Sequence, residues 1–169
     1  SQVGLMSQQD IPFLGKTKMA HPDQFAAQVG KIIGTSRWFT LDQSRIDAFA
    51  DVTDDHQFIH IHPEKAKETP FGQTVAHGFL TLSMLSAMIY DAVPRIDGLK
   101  MGVNYGFDKI RFVSPVRSGA RVRAQFTLKS CDFSKADEMT NIFDVLVEIE
   151  HEDRPAIVAE WISRQYYSL

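Results

Sequence analysis

Residues 73–90 read QTVAHGFLTLSMLSAMIY, a stretch without one Asp, Glu, Lys or Arg. A helix with apolar residues on most of its faces is stable only when other elements cover it. The stretch therefore predicts a buried central helix, and the rest of the chain has to supply what wraps it. Beyond Pro94 the pattern changes period. Val122, Ala124, Phe126 and Leu128 alternate with Arg121, Arg123, Gln125, Thr127 and Lys129, which is the mark of a strand with one wet face. Residues 142–150 and 157–167 are also strand-like, and residues 103–113 give a fourth strand, interrupted at Gly106 and ended by Pro115. Helices followed by about four long strands fit the α+β class, with an antiparallel sheet wrapped around one buried helix. Such a sheet keeps an open edge that a second copy would cover, so a homodimer is expected.

Ahead of the central helix, residues 22–30 predict a short helix, with Phe25, Ala26 and Val29 at helical spacing and Gly30 as its stop. Residues 36–39 read as extended. Thr40 and Gln43 form the T-x-x-Q pattern of a capping box, so a helix is expected to begin there. Its apolar stripe is Leu41, Ile46, Phe49, Ala50 and Val52, and it ends near Thr53-Asp54-Asp55.

A chain of 169 residues suits a single domain, expected over 21–169. Residues 1–20 read as an N-terminal extension; the first methionine is Met6, and some leading residues are expected to have been left by cloning. No repeat or Gly/Ser linker argues for a second domain. A net charge of -3 lacks the basic field of a nucleic-acid binder. No stretch approaches the roughly 20 apolar residues of a membrane span, and the start lacks the order of a signal peptide. A cytoplasmic protein with neither nucleic-acid nor membrane partners is expected. The single cysteine, Cys131, cannot close an intramolecular disulfide, fits a reducing compartment and reads as structural.

The chemistry-bearing stretch is FADVTDDHQFIHIHPEKA, which sets Asp55 and His60 five positions apart. On a helix that spacing separates side chains by about 140°, and on a strand it puts them on opposite faces. They converge only across an irregular turn, and the polar cluster before Asp55 suggests one. A carboxylate beside an imidazole can hold and polarise one water molecule; the pair alone equally fits a solvated helix end. Ala76-His77-Gly78 lies where the buried helix begins. A free N–H at a helix start suits an oxygen that gains negative charge, and glycine admits close approach to its backbone. Gly78 is thus a candidate oxyanion donor, although a glycine there could equally relieve crowding.

Together these pieces match the needs of water addition to an α,β-unsaturated thioester. The chain resembles the MaoC-like dehydratases, or R-specific enoyl-CoA hydratases (hydratase type 2), whose motif reads roughly S-G-D-x-N-P-[LIV]-H, followed later by I-A-H-G and the central helix of a hotdog fold. The resemblance covers residues 35–167. It implies Asp55 as the catalytic aspartate, His60 as the catalytic histidine and Gly78 as the oxyanion glycine, with His77 and the helix serine Ser86 supporting substrate. Asp54 stands where the family has glycine, and Gln57-Phe58 where it has Asn-Pro, with Gln57 implied to help position the pair. A branch similar to nodulation protein N carries D-H-Q-[WF]-I-H, which DHQFIH matches, and NYGFDKIRFVSPV from Asn104 to Val116 is similar to that branch too. The resemblance implies a five-stranded sheet around the central helix, two hotdogs with an acyl tunnel near their interface, fatty acid metabolism, and reversible hydration of a trans-2-enoyl-CoA with neither metal nor cofactor.

Several features point elsewhere. His56, His60 and His62 alternate, but no cysteine is near and they do not supply a closed metal-ligand set, so no metal is expected. Met84, Leu85 and Met88 read as adaptable core. Arg111, Arg117, Arg121 and Arg123 could meet the phosphates of coenzyme A, or simply form the wet face of a strand. Two rivals stand beside hydration: a thioesterase on the same fold, in which a carboxylate sends water to the thioester carbonyl, and a hotdog protein that binds acyl thioesters without turning them over.

Overall fold

The alternating stretch at residues 121–129 forms the first part of the longest strand. In a computed structural model describing residues 20–168, β1 (Ile32–Thr35), β2 (Phe39–Thr40), β3 (Met101–Phe112), β4 (Arg121–Lys135), β5 (Glu138–Ile149) and β6 (Ile157–Tyr166) make one sheet. Its order is β1-β4-β5-β6-β3, every pairing is antiparallel, and β2 adds to β4. The inward residues of β4, Val122, Ala124, Phe126 and Leu128, are completely buried with Phe143, Val145 and Val147 of β5 and Ile157 and Trp161 of β6. Their alternates carry ion pairs: Arg121 to Glu150 at 3.0 Å, Arg123 to Glu148 at 2.6 Å and Lys129 to Glu160 at 3.0 Å. The interruption expected at Gly106 is a register shift between Asn104 and Gly106 in the pairing of β3 with β6, the behaviour of a bulged edge strand.

The central helix is shorter than its hydropathy implies. It runs as α5 (Gly78–Ser83) and α6 (Leu85–Ala92), joined at Met84, whose N–H is shared between the carbonyls of Leu80 and Thr81. Residues 74–77 are buried but not helical. Val75 bridges Arg117, the Ala76 N–H donates to the Val116 carbonyl at 2.7 Å, and the Val75 N–H donates to the Ile59 carbonyl at 3.0 Å. Apolar character reported burial here, and the backbone partners chose the conformation. Nor is the helix covered on all sides. Leu80, Thr81, Leu85 and Met88 enter the core, while Phe79, Ser83, Ser86 and Tyr90 stay exposed.

Two shorter helices precede it. α1 (Pro22–Ala26) ends before Gly30, which has a φ of +88°, close to the expected stop. α2 (Gln43–Thr53) is capped by Asp42, whose carboxylate accepts the Arg45 N–H at 2.9 Å; the capping box expected at Thr40 does not form, because Thr40 is paired with Arg121 in the sheet. Val52 is 80% exposed and lies outside the apolar stripe. Two single turns, α3 (Phe58–Ile61) and α4 (Pro63–Ala66), complete the helices. Of the extension expected over residues 1–20, residues 1–19 lie outside the described residues, and Ala20 bridges Ile96. Among the described residues no helix is long and apolar enough to cross a membrane. Cys131 is half-buried in β4, and burial pushes its thiol up to about 11, the environment of an unreactive structural cysteine.

Sheet and helix approach tightly at Gly34, where an added Cβ would lie 1.9 Å from the Ala92 carbonyl oxygen. Neither backbone can yield without moving β1 or the end of α6. Gly34→Ala is expected to cost about 3 kcal/mol, read as a lowered denaturation midpoint in urea.

Candidate active site

The turn that brings Asp55 and His60 together begins with Asp54. This residue ends α2 in the left-handed conformation, φ 59° and ψ 24°, which L residues adopt at a steric cost and which Asp and Asn tolerate better than most. It occupies the position at which the resembled motif has glycine, and the backbone explains the preference. After this reversal, Asp55 Oδ1 accepts the Gln57 N–H at 3.3 Å, closing an Asx turn, and α3 carries His60 back toward the core. Gln57 therefore supports Asp55 through its backbone.

His60 is buried, and its Nδ1–H donates to the Val75 carbonyl at 2.7 Å. A carbonyl oxygen only accepts, so the proton belongs on Nδ1 and the lone pair on Nε2. Burial lowers the pKa of His60 below its ordinary 6.5, and neighbouring His77 pushes the same way, while the Val75 bond and Asp55 oppose them. The net effect favours the neutral ring. His77, at the N-cap of α5, is buried too, and its Nε2–H donates to the Asp55 carbonyl at 3.0 Å. Its Nε2 lies 4.0 Å from Asp55 Oδ2, and its ring stacks on His60 with centroids 3.8 Å apart and planes 23° apart. Phe49 of α2 packs on the other ring contact of His77 at 4.9 Å. Asp55, the most exposed of the three, keeps its carboxylate at the surface of this stack.

The three side chains bring potential donor atoms within 4.8 Å of one another. The stack is poorly built for a metal, because imidazole lone pairs lie in the ring plane. Two nearly parallel rings direct them side by side and not toward a common point about 2 Å from both nitrogens. His60 also keeps Nδ1 engaged with Val75, and His77 keeps Nε2 engaged with Asp55. An acceptor site for water suits this arrangement better.

Gly78 follows His77 directly, and its N–H has no hydrogen-bond partner among the described residues. Phe112 of β3 lies against it: an added Cβ would be 2.9 Å from the ring, which meets Phe79 edge-on at 6.1 Å. Ser86 is exposed in the first turn of α6, and neither a hydrogen bond nor a ring contact joins it to Asp55, His60 or His77. Of the six residues singled out in the sequence, the structure joins Asp55, Gln57, His60 and His77, with Gly78 adjoining, and leaves Ser86 apart. Arg121 and Arg123 are engaged by Glu150 and Glu148, and Arg117 donates to the Phe71 carbonyl at 3.0 Å, which weakens their case as phosphate ligands. Val75, Phe49 and Phe112 escaped sequence reasoning. Val75 acts through its carbonyl, which carries no side-chain signature, and the two phenylalanines resemble any core residue.

A family model described as the MaoC like domain matches residues 24–148. The chain is 54% identical to nodulation protein N of Rhizobium leguminosarum bv. viciae, over 81% of this chain and 86% of that protein. It is 41% identical to 3-hydroxyacyl-thioester dehydratase Z of Mycobacterium tuberculosis, over 82% of this chain and 91% of that one. Among solved structures it is similar to the (R)-hydratase from A. caviae involved in PHA biosynthesis, with a TM-score of 0.63 and 20% identity, over 79% of this chain and 95% of the other. At that identity the likeness concerns the hotdog fold.

The left-handed turn gives a direct test. Asp54→Gly should stabilise the protein by about 1 kcal/mol and Asp54→Val should destabilise it, both read by thermal unfolding; equal stability of the two variants would mean that this backbone conformation is not adopted.

Proposed function

The chain belongs to the MaoC-like dehydratase family, and from that premise we propose that it hydrates a trans-2-enoyl-CoA reversibly to an R-3-hydroxyacyl-CoA. The observation that carries the reading is the buried 2.7 Å contact of His60 Nδ1 with the Val75 carbonyl, which holds the proton on Nδ1, while burial favours the neutral ring. Its Nε2 lone pair and the Asp55 carboxylate together accept the two hydrogens of one water. The substrate's thioester carbonyl accepts the Gly78 N–H. As the water oxygen bonds to the β-carbon, His60 Nε2 takes one of its protons and the double-bond electrons shift to the carbonyl oxygen, giving an enolate held by Gly78. The enolate then takes that proton from the imidazolium at its α-carbon, and His60 returns to its starting form. Asp55 stabilises the transient imidazolium, and His77 holds the Asp55 backbone in place.

No metal or cofactor enters this cycle. The relative named 3-hydroxyacyl-thioester dehydratase Z, 41% identical, supports the reaction class, and the R product follows from the family resemblance alone. The thioesterase and the non-catalytic binder become outcomes of the test. The protein would work in cytoplasmic fatty acid metabolism, on coenzyme A or carrier-bound chains.

A homodimer completes the reading. β3 is an edge strand whose Met101, Val103, Tyr105 and Phe112 are exposed, and Phe112 meets the exposed Phe79 of α5 edge-on. Unpaired strand backbone beside an apolar patch favours a second copy. Light scattering should give twice 19.1 kDa, and Val103→Lys should shift the protein toward monomer; a monomeric wild type would contradict the dimer.

The experiment for the activity follows the loss of enoyl absorbance with short and medium trans-2-enoyl-CoA. Asp55→Asn and His60→Ala should each lower kcat about 10²–10⁴-fold while remaining folded. Release of free coenzyme A would point to the thioesterase, and tight binding without turnover to the binder. Because the folded pKa of His60 lies below 6.5, kcat/KM should be level at and above neutral pH and fall as acid protonates Nε2. The unfolded state binds the more protons in that same interval, so His60 also makes stability rise with pH there. Activity that rises on acidification would remove His60 from the role of base.

A further inference from the structure

Gln43, in the first turn of α2, is half-buried and spends both ends of its amide on the site. Its Nε2 donates to the His60 carbonyl at 2.7 Å and to Asp47 Oδ1 at 2.8 Å, and its Oε1 accepts the Thr74 hydroxyl at 2.6 Å. Thr74 immediately precedes Val75, whose carbonyl holds His60 Nδ1 at 2.7 Å and whose N–H donates to the Ile59 carbonyl. The contacts close a ring: from the Gln43 amide to the His60 backbone, out along the imidazole to the Val75 carbonyl, back through Thr74 to the amide. Two segments that are remote in sequence, 58–61 and 74–77, are thereby set at one separation, and His60 is gripped at its backbone and at its ring.

A primary amide is suited to this place because it donates to a carbonyl at one end and accepts from a hydroxyl at the other. A carboxylate could accept from Thr74 but would set an acceptor against the His60 carbonyl. An aliphatic side chain would leave the His60 carbonyl and the Thr74 hydroxyl, both on buried residues, without these partners, each then carrying a desolvation cost.

We propose that Gln43 is a positioning residue for His60, fixing the distance between the His60 backbone and the Val75 carbonyl so that Nδ1 stays protonated and Nε2 stays available as the base. The proposal rests on the assignment of His60 as that base. Small displacements of a reacting group are enough to matter, since an error near 1 Å can cost about 10²-fold in rate.

The test uses the full chain as wild type, Gln43→Leu, Gln43→Glu and Thr74→Val, with imidazole ¹⁵N NMR, enoyl-CoA kinetics and thermal unfolding run on each. In the wild type neutral His60 is expected to show the Nδ1–H tautomer. Gln43→Leu and Gln43→Glu should shift it toward a mixture and lower kcat about ten- to hundred-fold, with KM changed less than about threefold. Thr74→Val should give a smaller loss of the same kind, and should add little to Gln43→Leu when combined, because both break one ring. Thr74→Val also carries the test if replacements at 43 fail to fold. Wild-type tautomer and kcat in the folded variants would overturn the proposal, as would a loss confined to thermal stability. A wild type that hydrates no enoyl chain would end the hydration reading, while the NMR tautomer would still decide whether Gln43 holds the His60 ring.

Discussion

The His60 Nδ1–H bond to the Val75 carbonyl, 2.7 Å long and buried, sets the direction in which the site can work. One backbone oxygen decides which nitrogen carries the proton, and burial keeps the ring neutral. Val75 can play this part because residues 74–77 are pinned as extended chain against Ile59, Val116 and Arg117 before α5 begins. Had the helix started five residues earlier, the Val75 carbonyl would have been turned along the helix axis and lost to the site. The unwound segment ahead of the central helix is therefore as necessary to the proposed chemistry as the helix itself.

The sheet makes that segment possible. Completely buried residues of β4 and β5, among them Val122, Phe126, Leu128 and Val147, give a rigid floor against which Leu85 and Met88 pack. Removing such side chains from water stabilises by about 25 cal/mol per Å², and this fixes the register of the elements that carry the site. Gly34 lets β1 run hard against the end of α6. The opposite edge is built differently: β3 leaves Met101, Val103 and Tyr105 exposed, and its Phe112 reaches Phe79 and Gly78. In the proposed dimer, this edge strand would border both the second copy and the place where the thioester oxygen would sit.

Much of this was legible in the sequence, for identifiable reasons. Alternation at 121–129 gave a strand because its two faces meet different solvents, and Gly106 marked a bulge because an interrupted ladder tolerates a residue without a side chain. Asp55 and His60 could be named from a motif, although their spacing alone would have separated them on any regular element. What closes the gap is Asp54 in a left-handed conformation, a backbone property that its side chain only permits. Other features left no trace. Residues 73–77 are as free of Asp, Glu, Lys and Arg as those after them, and a lack of charge cannot distinguish buried extended chain from buried helix. Thr40 and Asp42 are both good caps, and only the pairing of Thr40 with Arg121 decides between them. Gln43 fitted a capping box on paper, whereas the fold turns it toward His60 and Thr74. Ser86 lies on the expected helix but on a face that this chain leaves exposed.

In the proposed reaction, water held by Asp55 and His60 is delivered to the β-carbon of an enoyl thioester. The most direct measurement is mass spectrometry of the product formed from a trans-2-enoyl-CoA in ¹⁸O-labelled water. Hydration at the β-carbon gives an intact thioester with the heavy oxygen on C3. Label in a released carboxylate beside free coenzyme A would contradict it, since the same pair would then be directing water at the carbonyl carbon.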